Sequence, residues 1–351
     1  MKKVLNIKSK IKNYNVYSEN KFEKIFKNLP KHSIFIVDEK IYNLFLKKYL
    51  KRKVYLKIFS SEKTKDFKNL DKVLKFYLKF ATKNTKVIAI GGGVVQDVAS
   101  FISSIFRRGI EWYFIPSTII SQGDSCIGGK TSINFQGIKN QLGNFYPPKK
   151  IILNELFIKK LPKDEFFSGL GEMSHYYYLS NKSDFSFFKN QLSNLKNINL
   201  KKLIVNSLKI KKRFIERDEF DHKERLILNY GHTFGHAIEN LTSTPHGISV
   251  AFGMDIANYI SLKNNFLNSL DYSEMKKTSD LILNNYKLPK INIKKFIKLL
   301  KKDKKSIKGK IRVVLSRGIG KMFLKEIKDL NKFENDVKNY FQTKNVLKNV
   351  F

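Results

Sequence analysis

Cysteine is almost absent from this chain: Cys126 is the single one among 351 residues. An intramolecular disulfide is therefore impossible, and a Cys-rich zinc module is excluded. A reducing compartment suits such a chain. Proline is scarce (7) and glycine unexceptional (18), which excludes collagen-like and Gly/Pro low-complexity material. Long apolar runs are missing as well; none approaches the roughly 20 residues of a membrane helix. The basic start, MKKVLNIKSKIKNYNVY, has neither a continuous apolar stretch nor a small-residue cleavage site. The expectation is a cytoplasmic protein with no membrane partner. Acidic residues are few: 30 against 68 Lys+Arg, a formal net charge of +38. That balance invites a nucleic-acid reading. Arginine, the usual bidentate reader of bases, occurs only eight times, and the lysines are spread along the chain without a segregated basic arm. The charge reads as compositional bias, so no specific nucleic-acid partner is expected. The field would still attract an anionic ligand.

What is present is enough apolar material (42%) for about two domains with real cores. Residues 33–37 (SIFIV), 53–59 (KVYLKIF), 86–90 (KVIAI), 111–115 (EWYFI) and 150–153 read as strands. Helical spacing at 66–83 and 94–106 alternates with them, which argues an α/β domain with a largely parallel sheet. Beyond it, 163–180, 198–220, 225–241, 248–267, 273–285 and 293–302 read as helices. No strand signal returns until 311–315 (IRVVL), and a terminal helix is expected within 334–351. The expected organisation is an α/β domain over 1–155 and a mostly helical domain over 156–351.

Four constellations carry chemistry. Strand, Gly91-Gly92-Gly93, then helix is the layout that lets backbone N–H groups meet a phosphate at a helix N-terminus. It also serves any tight turn, and Asp97 one turn further on could simply favour the helix dipole. Three of six histidines, His232, His236 and His246, lie within fifteen residues, flanked by glycines at 231, 235 and 247. His232 and His236 share one helix face. Two His and a carboxylate make a common catalytic metal set, and Glu172, in the small-residue stretch SGLGEMSH, is a candidate third ligand. Asp124 and Lys130 in DSCIGGK, followed by Lys139 and Asn140, suit a phosphate and hydroxyls. Lys211, Arg225 and Asn229 lead into the histidines. A guanidinium there suits a planar carboxylate, or a salt bridge with Asp221.

Together these motifs resemble the 3-dehydroquinate synthase family of sugar phosphate cyclases. The matching pieces are SEKTK (61–65), GGGVVQD (91–97), RRG (107–109), PST (116–118), DSCIGGKTSIN (124–134), KNQLGNFYPP (139–148), SGLGE (168–172), RLILNYGHTFGHAIE (225–239), PHG (245–247) and DKK (303–305). The resemblance implies a Rossmann-like α/β N-terminal domain and a helical C-terminal one. It implies that Glu172, His232 and His246 bind a metal, zinc or cobalt. Asp38, Glu62, Lys65, Gly91, Gly92, Gly93, Val94, Asp97, Ser117 and Thr118, with Lys130 and Lys139, then match positions around NAD. Asp124, Lys130, Lys139, Asn140, Lys211, Arg225, Asn229, His236, Lys304 and Lys305 match substrate-pocket positions. Arg108 matches an arginine that reaches a neighbouring subunit, which implies a homodimer.

The implied substrate is 3-deoxy-D-arabino-heptulosonate 7-phosphate and the product 3-dehydroquinate, in the shikimate pathway. NAD takes a hydride from a ring hydroxyl, phosphate leaves by elimination, the hydride returns, and an internal aldol step closes the carbocycle. The alternatives are a cyclase for another heptulose phosphate and a metal-dependent polyol or alcohol dehydrogenase. Two positions depart from the family pattern. His175 stands where a pocket lysine is usual, three residues after the metal-binding glutamate, and is counted among the pocket residues. Gln96 replaces a usual glycine in the glycine-rich turn.

Overall fold

The computed structural model describes residues 1–288, 290–302 and 311–346. The chain divides into two compact units, Met1–Pro162 with Leu200–Phe220, and Lys163–Asn199 with Asp221–Phe351.

The first unit carries β1 (Lys2–Ile7), β2 (Tyr14–Ser18), β3 (Ser33–Asp38), β4 (Val54–Ile58), β5 (Lys86–Gly91), β6 (Trp112–Pro116), β7 (Ile133–Phe135), β8 (Ile138–Leu142) and β9 (Lys150–Leu153). Seven of these form one sheet in the order β1-β2-β9-β6-β5-β3-β4. Every neighbouring pair in it is parallel except β1 with β2. The central strands are near-continuous apolar runs, as strands buried on both faces must be. Ile36, Ile88, Ile90 and Phe114 are fully buried, each contributing about 1.5–3 kcal/mol. Phe22, Ile25, Leu46, Leu50 and Phe157 pack in one cluster with Phe35, Val37 and Ile90. Strand order reverses at β3, with β4 on one side and β5 on the other. Open α/β sheets take ligands at such a reversal, outside the carboxyl ends of the strands. Asp38 and Gly91 end the two strands there.

The β1–β2 hairpin was not expected. Its inward residues Leu5, Ile7, Tyr14 and Val16 alternate with polar ones, so no apolar run marks it. The helix expected over 66–83 begins only at Asp71 and ends at Phe80, because Glu62–Lys65 and Phe67–Asn69 form 3-10 turns.

The second unit is built from helices Lys163–Leu179, Lys182–Ser193, His232–Thr242, His246–Lys263, Ser269–Leu283, Ile293–Lys302 and Leu330–Val346. A hairpin, β10 (Arg312–Ser316) with β11 (Met322–Glu326), accompanies them. The single helix expected over 225–241 is broken: Glu224–Asn229 is a 3-10 turn and the helix starts at His232. Between them Gly231 has φ +81°, and a Cβ there would meet Met254 and the Val250 carbonyl. Leu200–Arg217 packs within the first unit, where its Ser207 Oγ donates to the Gly123 carbonyl at 2.6 Å. The expected class, an α/β N-terminal part followed by a mostly helical C-terminal part, is the observed one. Among the described residues no helix is long and apolar enough to cross a membrane.

Candidate functional site

Close backbone contact builds the histidine site. Helices Lys163–Leu179 and His246–Lys263 meet at Gly171 and Gly247, where a Cβ on either would collide with the other helix's backbone. The Gly247 N–H donates to Ser168 Oγ at 3.0 Å. Glu172 and His246, each next to one of these glycines, are thereby brought face to face. Gly235 plays the same part against Ser249 and Val250, which draws in the helix carrying His232. Glu172 Oε1 lies 3.2 Å from His232 Nε2 and Glu172 Oε2 lies 3.4 Å from His246 Nε2. The three donor atoms lie within 4.8 Å of one another.

Glu172 is 2% exposed, and its Oε2 makes no hydrogen bond among the described residues. Burial alone lifts its pKa, but the charges of His232, His246 and His175 outweigh that and hold it well below the usual carboxylate range. Two imidazoles and one carboxylate suit zinc or cobalt, and three protein ligands leave a position open for substrate. These residues fit a divalent metal.

Two other second-unit candidates, His175 and His236, lie against them. His175 is buried; its Nδ1 lies 2.5 Å from the Glu172 carbonyl, and its ring packs edge-on to His232 at 5.1 Å. The His236 ring lies 5.6 Å from that of His232 and 5.6 Å from that of His246. Arg225 is buried in the Glu224–Asn229 turn, and Asn229 Nδ2 donates to the Leu226 carbonyl at 2.9 Å. Lys304 and Lys305 lie outside the described residues.

In the first unit the glycine turn also fits its ligand class. Gly92 caps the Gly93–Ile105 helix with no side-chain hydrogen bond at that end. A Cβ on Gly93 would meet nothing within 4 Å, whereas one on Gly91 would meet Val95 and Asp38. The helix start, with Val94 in its first turn, is thus open for a phosphate to approach the backbone. The Ser117 N–H donates to the Gly91 carbonyl at 2.9 Å, and Thr118 Oγ1 bonds Ser121. Asp38 accepts from the Ile41 N–H at 2.9 Å and from Ser60 Oγ.

A polar network joins four elements here. Lys65 Nζ lies 2.7 Å from Asp97 Oδ2 and donates to Asn140 Oδ1 at 3.1 Å. The Asn140 N–H donates to Asn134 Oδ1 at 2.9 Å, and Asn134 Nδ2 donates to Glu62 Oε2 at 2.8 Å. Asn140 holds this with φ +57°, a conformation asparagine tolerates better than most residues. Burial pushes the Asp97 carboxyl up to about 6, against the opposing pull of Lys65. Lys211 Nζ donates to Asp124 Oδ1 at 2.7 Å and to its carbonyl at 2.8 Å. Lys130, before β7, and Lys139, within β8, are both exposed. Arg108 is exposed on a turn where Arg107, Arg108 and Gly109 all have positive φ.

The sequence comparisons agree with this geometry. Residues 55–168 match the 3-dehydroquinate synthase N-terminal family model and residues 169–306 the 3-dehydroquinate synthase C-terminal model. The chain belongs to the 3-dehydroquinate synthase family. A curated 3-dehydroquinate synthase of Prochlorococcus marinus is 36% identical over 307 residues, covering 82% of this chain and 84% of that one. One of Dictyoglomus thermophilum is 34% identical over 341 residues, covering 92% and 94%. A solved 2-deoxy-scyllo-inosose synthase, complexed with carbaglucose-6-phosphate, NAD+ and Co2+, superposes with a TM-score of 0.84 at 22% identity, covering 95% of this chain and 98% of that one. That likeness is one of fold.

Three residues of this dehydroquinate synthase-family chain escaped the sequence reading. Asn134 links Glu62 to Asn140; it ends the DSCIGGKTSIN motif, which was its only signal. Ser125 is clamped by Gln96, whose Nε2 donates to the Ser125 carbonyl and whose Oε1 accepts from Ser125 Oγ, both at 2.7 Å. The Gln96 side chain therefore ties the Gly93–Ile105 helix to the turn bearing Asp124. Glu239 accepts from His246 Nδ1 at 2.9 Å. Its spacing, seven after His232 and three after His236, put it on their helix face.

Proposed function

We propose that this chain converts 3-deoxy-D-arabino-heptulosonate 7-phosphate to 3-dehydroquinate and phosphate, as a phosphate-releasing carbon–oxygen lyase. The convergence of buried Glu172 with His232 and His246 carries the reading. In it the first unit binds NAD and the second binds zinc or cobalt through those three residues. When bound, NAD takes up and returns a hydride, and the metal polarises the substrate oxygen being oxidised.

The chain's own residues do the rest. Asp38, Glu62, Lys65, Asp97, Ser117 and Thr118 orient the dinucleotide around the open Gly91–Val94 turn. Lys211, braced by Asp124, and buried Arg225 hold the substrate carboxylate. Lys130, Lys139, Asn140 and Asn229 bind phosphate and hydroxyls, and His236 moves protons next to the metal ligands. Lys304 and Lys305 join them as anion-binding residues. Arg108 supports a homodimer: backbone strain at an exposed arginine is retained where its direction matters, and the reading sends it to a neighbouring subunit.

The test is phosphate release by the full chain supplied with NAD and zinc or cobalt. The expected result is NAD-dependent release from the heptulosonate phosphate, dehydroquinate as product and no net NADH. Sedoheptulose 7-phosphate, which lacks the carboxylate, should react poorly. Silence on the acid with turnover of the neutral sugar would overturn the substrate assignment. Accumulating NADH would overturn the cyclase.

A further inference from the structure

We propose that Glu239 is a positioning residue for the metal centre: its carboxylate fixes the ring orientation and tautomer of His246. This rests on the reading of Glu172, His232 and His246 as metal ligands. A ligating imidazole must present a bare nitrogen to the metal, so its proton must sit on the other ring nitrogen, held by an acceptor.

The two histidines meet this need differently. His232 turns Nε2 toward Glu172 and its Nδ1 lies 3.2 Å from the Tyr230 carbonyl. That acceptor is backbone, provided by the bend before the helix. His246 also turns Nε2 toward Glu172, at 3.4 Å. Its Nδ1 faces Glu239 Oε2 at 2.9 Å. His246 is the first residue of its helix and its side chain is 35% exposed, against 13% for His232. The less enclosed ring is thus the one oriented by a charged side chain.

Helix His232–Thr242 supplies both parts, since His232, His236 and Glu239 lie on one face. A carboxylate acceptor also raises the basicity of the ring it holds, which strengthens the nitrogen offered to the metal. The arrangement has a backbone acceptor on one ligand and a replaceable one on the other.

The experiment measures zinc affinity of the full chain by competition with a chromophoric chelator, beside the visible spectrum of the cobalt form and the melting temperature of the metal-free form. Glu239→Ala should bind zinc about 10–100-fold more weakly and alter the cobalt spectrum, with the metal-free melting temperature unchanged. Glu239→Gln, whose amide oxygen can still accept from Nδ1, should lose less. Should Glu239→Ala fold poorly, Glu239→Leu, which keeps the bulk but cannot accept from Nδ1, takes its place: wild-type zinc affinity and cobalt spectrum in a folded variant without the acceptor overturn the proposal. A wild-type chain that holds two ions, one of them lost in Glu239→Ala, also overturns it, because His236, Glu239 and His246 would then be a site of their own. A wild-type chain that binds no zinc would instead sink the metal reading on which this rests.

Discussion

Asp97 in the first unit and Glu172 in the second are carboxylates taken out of water and balanced by opposite means. Asp97 has a lysine, Lys65, at 2.7 Å. Burial still dominates and lifts its pKa to about 6. Glu172 faces the imidazoles of His232, His246 and His175, and their combined charge brings its pKa down despite burial. The difference lies in the partner. A lysine keeps its proton, so the Lys65–Asp97 pair is complete within the protein, and Asn140, Asn134 and Glu62 extend it. An imidazole can exchange its proton for a metal. The first network is therefore charge-balanced by the protein's own lysine, and the second is a set of donors that fits a divalent ion.

The comparison breaks most visibly at Glu172. Glu172→Ala should abolish metal retention after dialysis and lower phosphate release roughly a thousandfold, the several kcal/mol that a Lewis acid supplies. Metal content by atomic spectroscopy checks it, with Asp97→Ala as the contrast that should keep its metal. Equal metal in both variants would erase the distinction between the two carboxylates.

A smaller, pH-graded effect is expected from Lys65→Met, which strands Asp97. The native Asp97 pKa, about 6, exceeds its ordinary value of 3.8, so the folded chain holds the extra proton between them. Its contribution to stability therefore falls as pH rises through that window. Without Lys65 the native pKa climbs further. The loss should be small at about pH 5 and reach about 3 kcal/mol near pH 8, read from urea unfolding at both values. A loss independent of pH would show that Lys65 acts by packing rather than charge.

The smallest effect is expected in the first unit. Gln96→Ala removes both hydrogen bonds to Ser125 and should cost about 2 kcal/mol, at roughly 1 each. Gln96→Gly should cost about 1 kcal/mol more from helix propensity. Thermal melts of the two variants measure the step. Wild-type stability in Gln96→Ala would mean that the turn carrying Asp124 is held by Lys211 and Ser207 without it.

Much of the fold was legible because buried parallel strands are unbroken apolar runs: SIFIV, KVIAI and EWYFI became β3, β5 and β6. The β1–β2 hairpin was not, because alternation among lysines looks like surface. The break at Gly231 was missed for another reason. The helical spacing of 225–241 is intact, and only the close approach of Val250 and Met254 forces the positive φ. Glu172 and the three histidines were legible as candidates through residue type and the flanking glycines, the choice of Glu172, His232 and His246 followed from the family resemblance, and the structure brings those three together. Glu239, Asn134 and Ser125 were not, because a residue that orients another has no chemistry of its own to mark it.

By itself the sequence determined the strand–glycine–helix start at Gly91–Gly93, the family, and the residue types able to hold a metal and a phosphate. Local spacing and side-chain chemistry suffice for those. Tertiary structure alone decided which donors face each other, and how each buried charge is balanced. Gly171 has no meaning until Gly247 lies against it, and Glu172 meets His246 only because neither glycine carries a side chain. Contacts between residues some seventy positions apart depend on how helices cross, and helix crossing is set by packing that no local stretch of sequence contains.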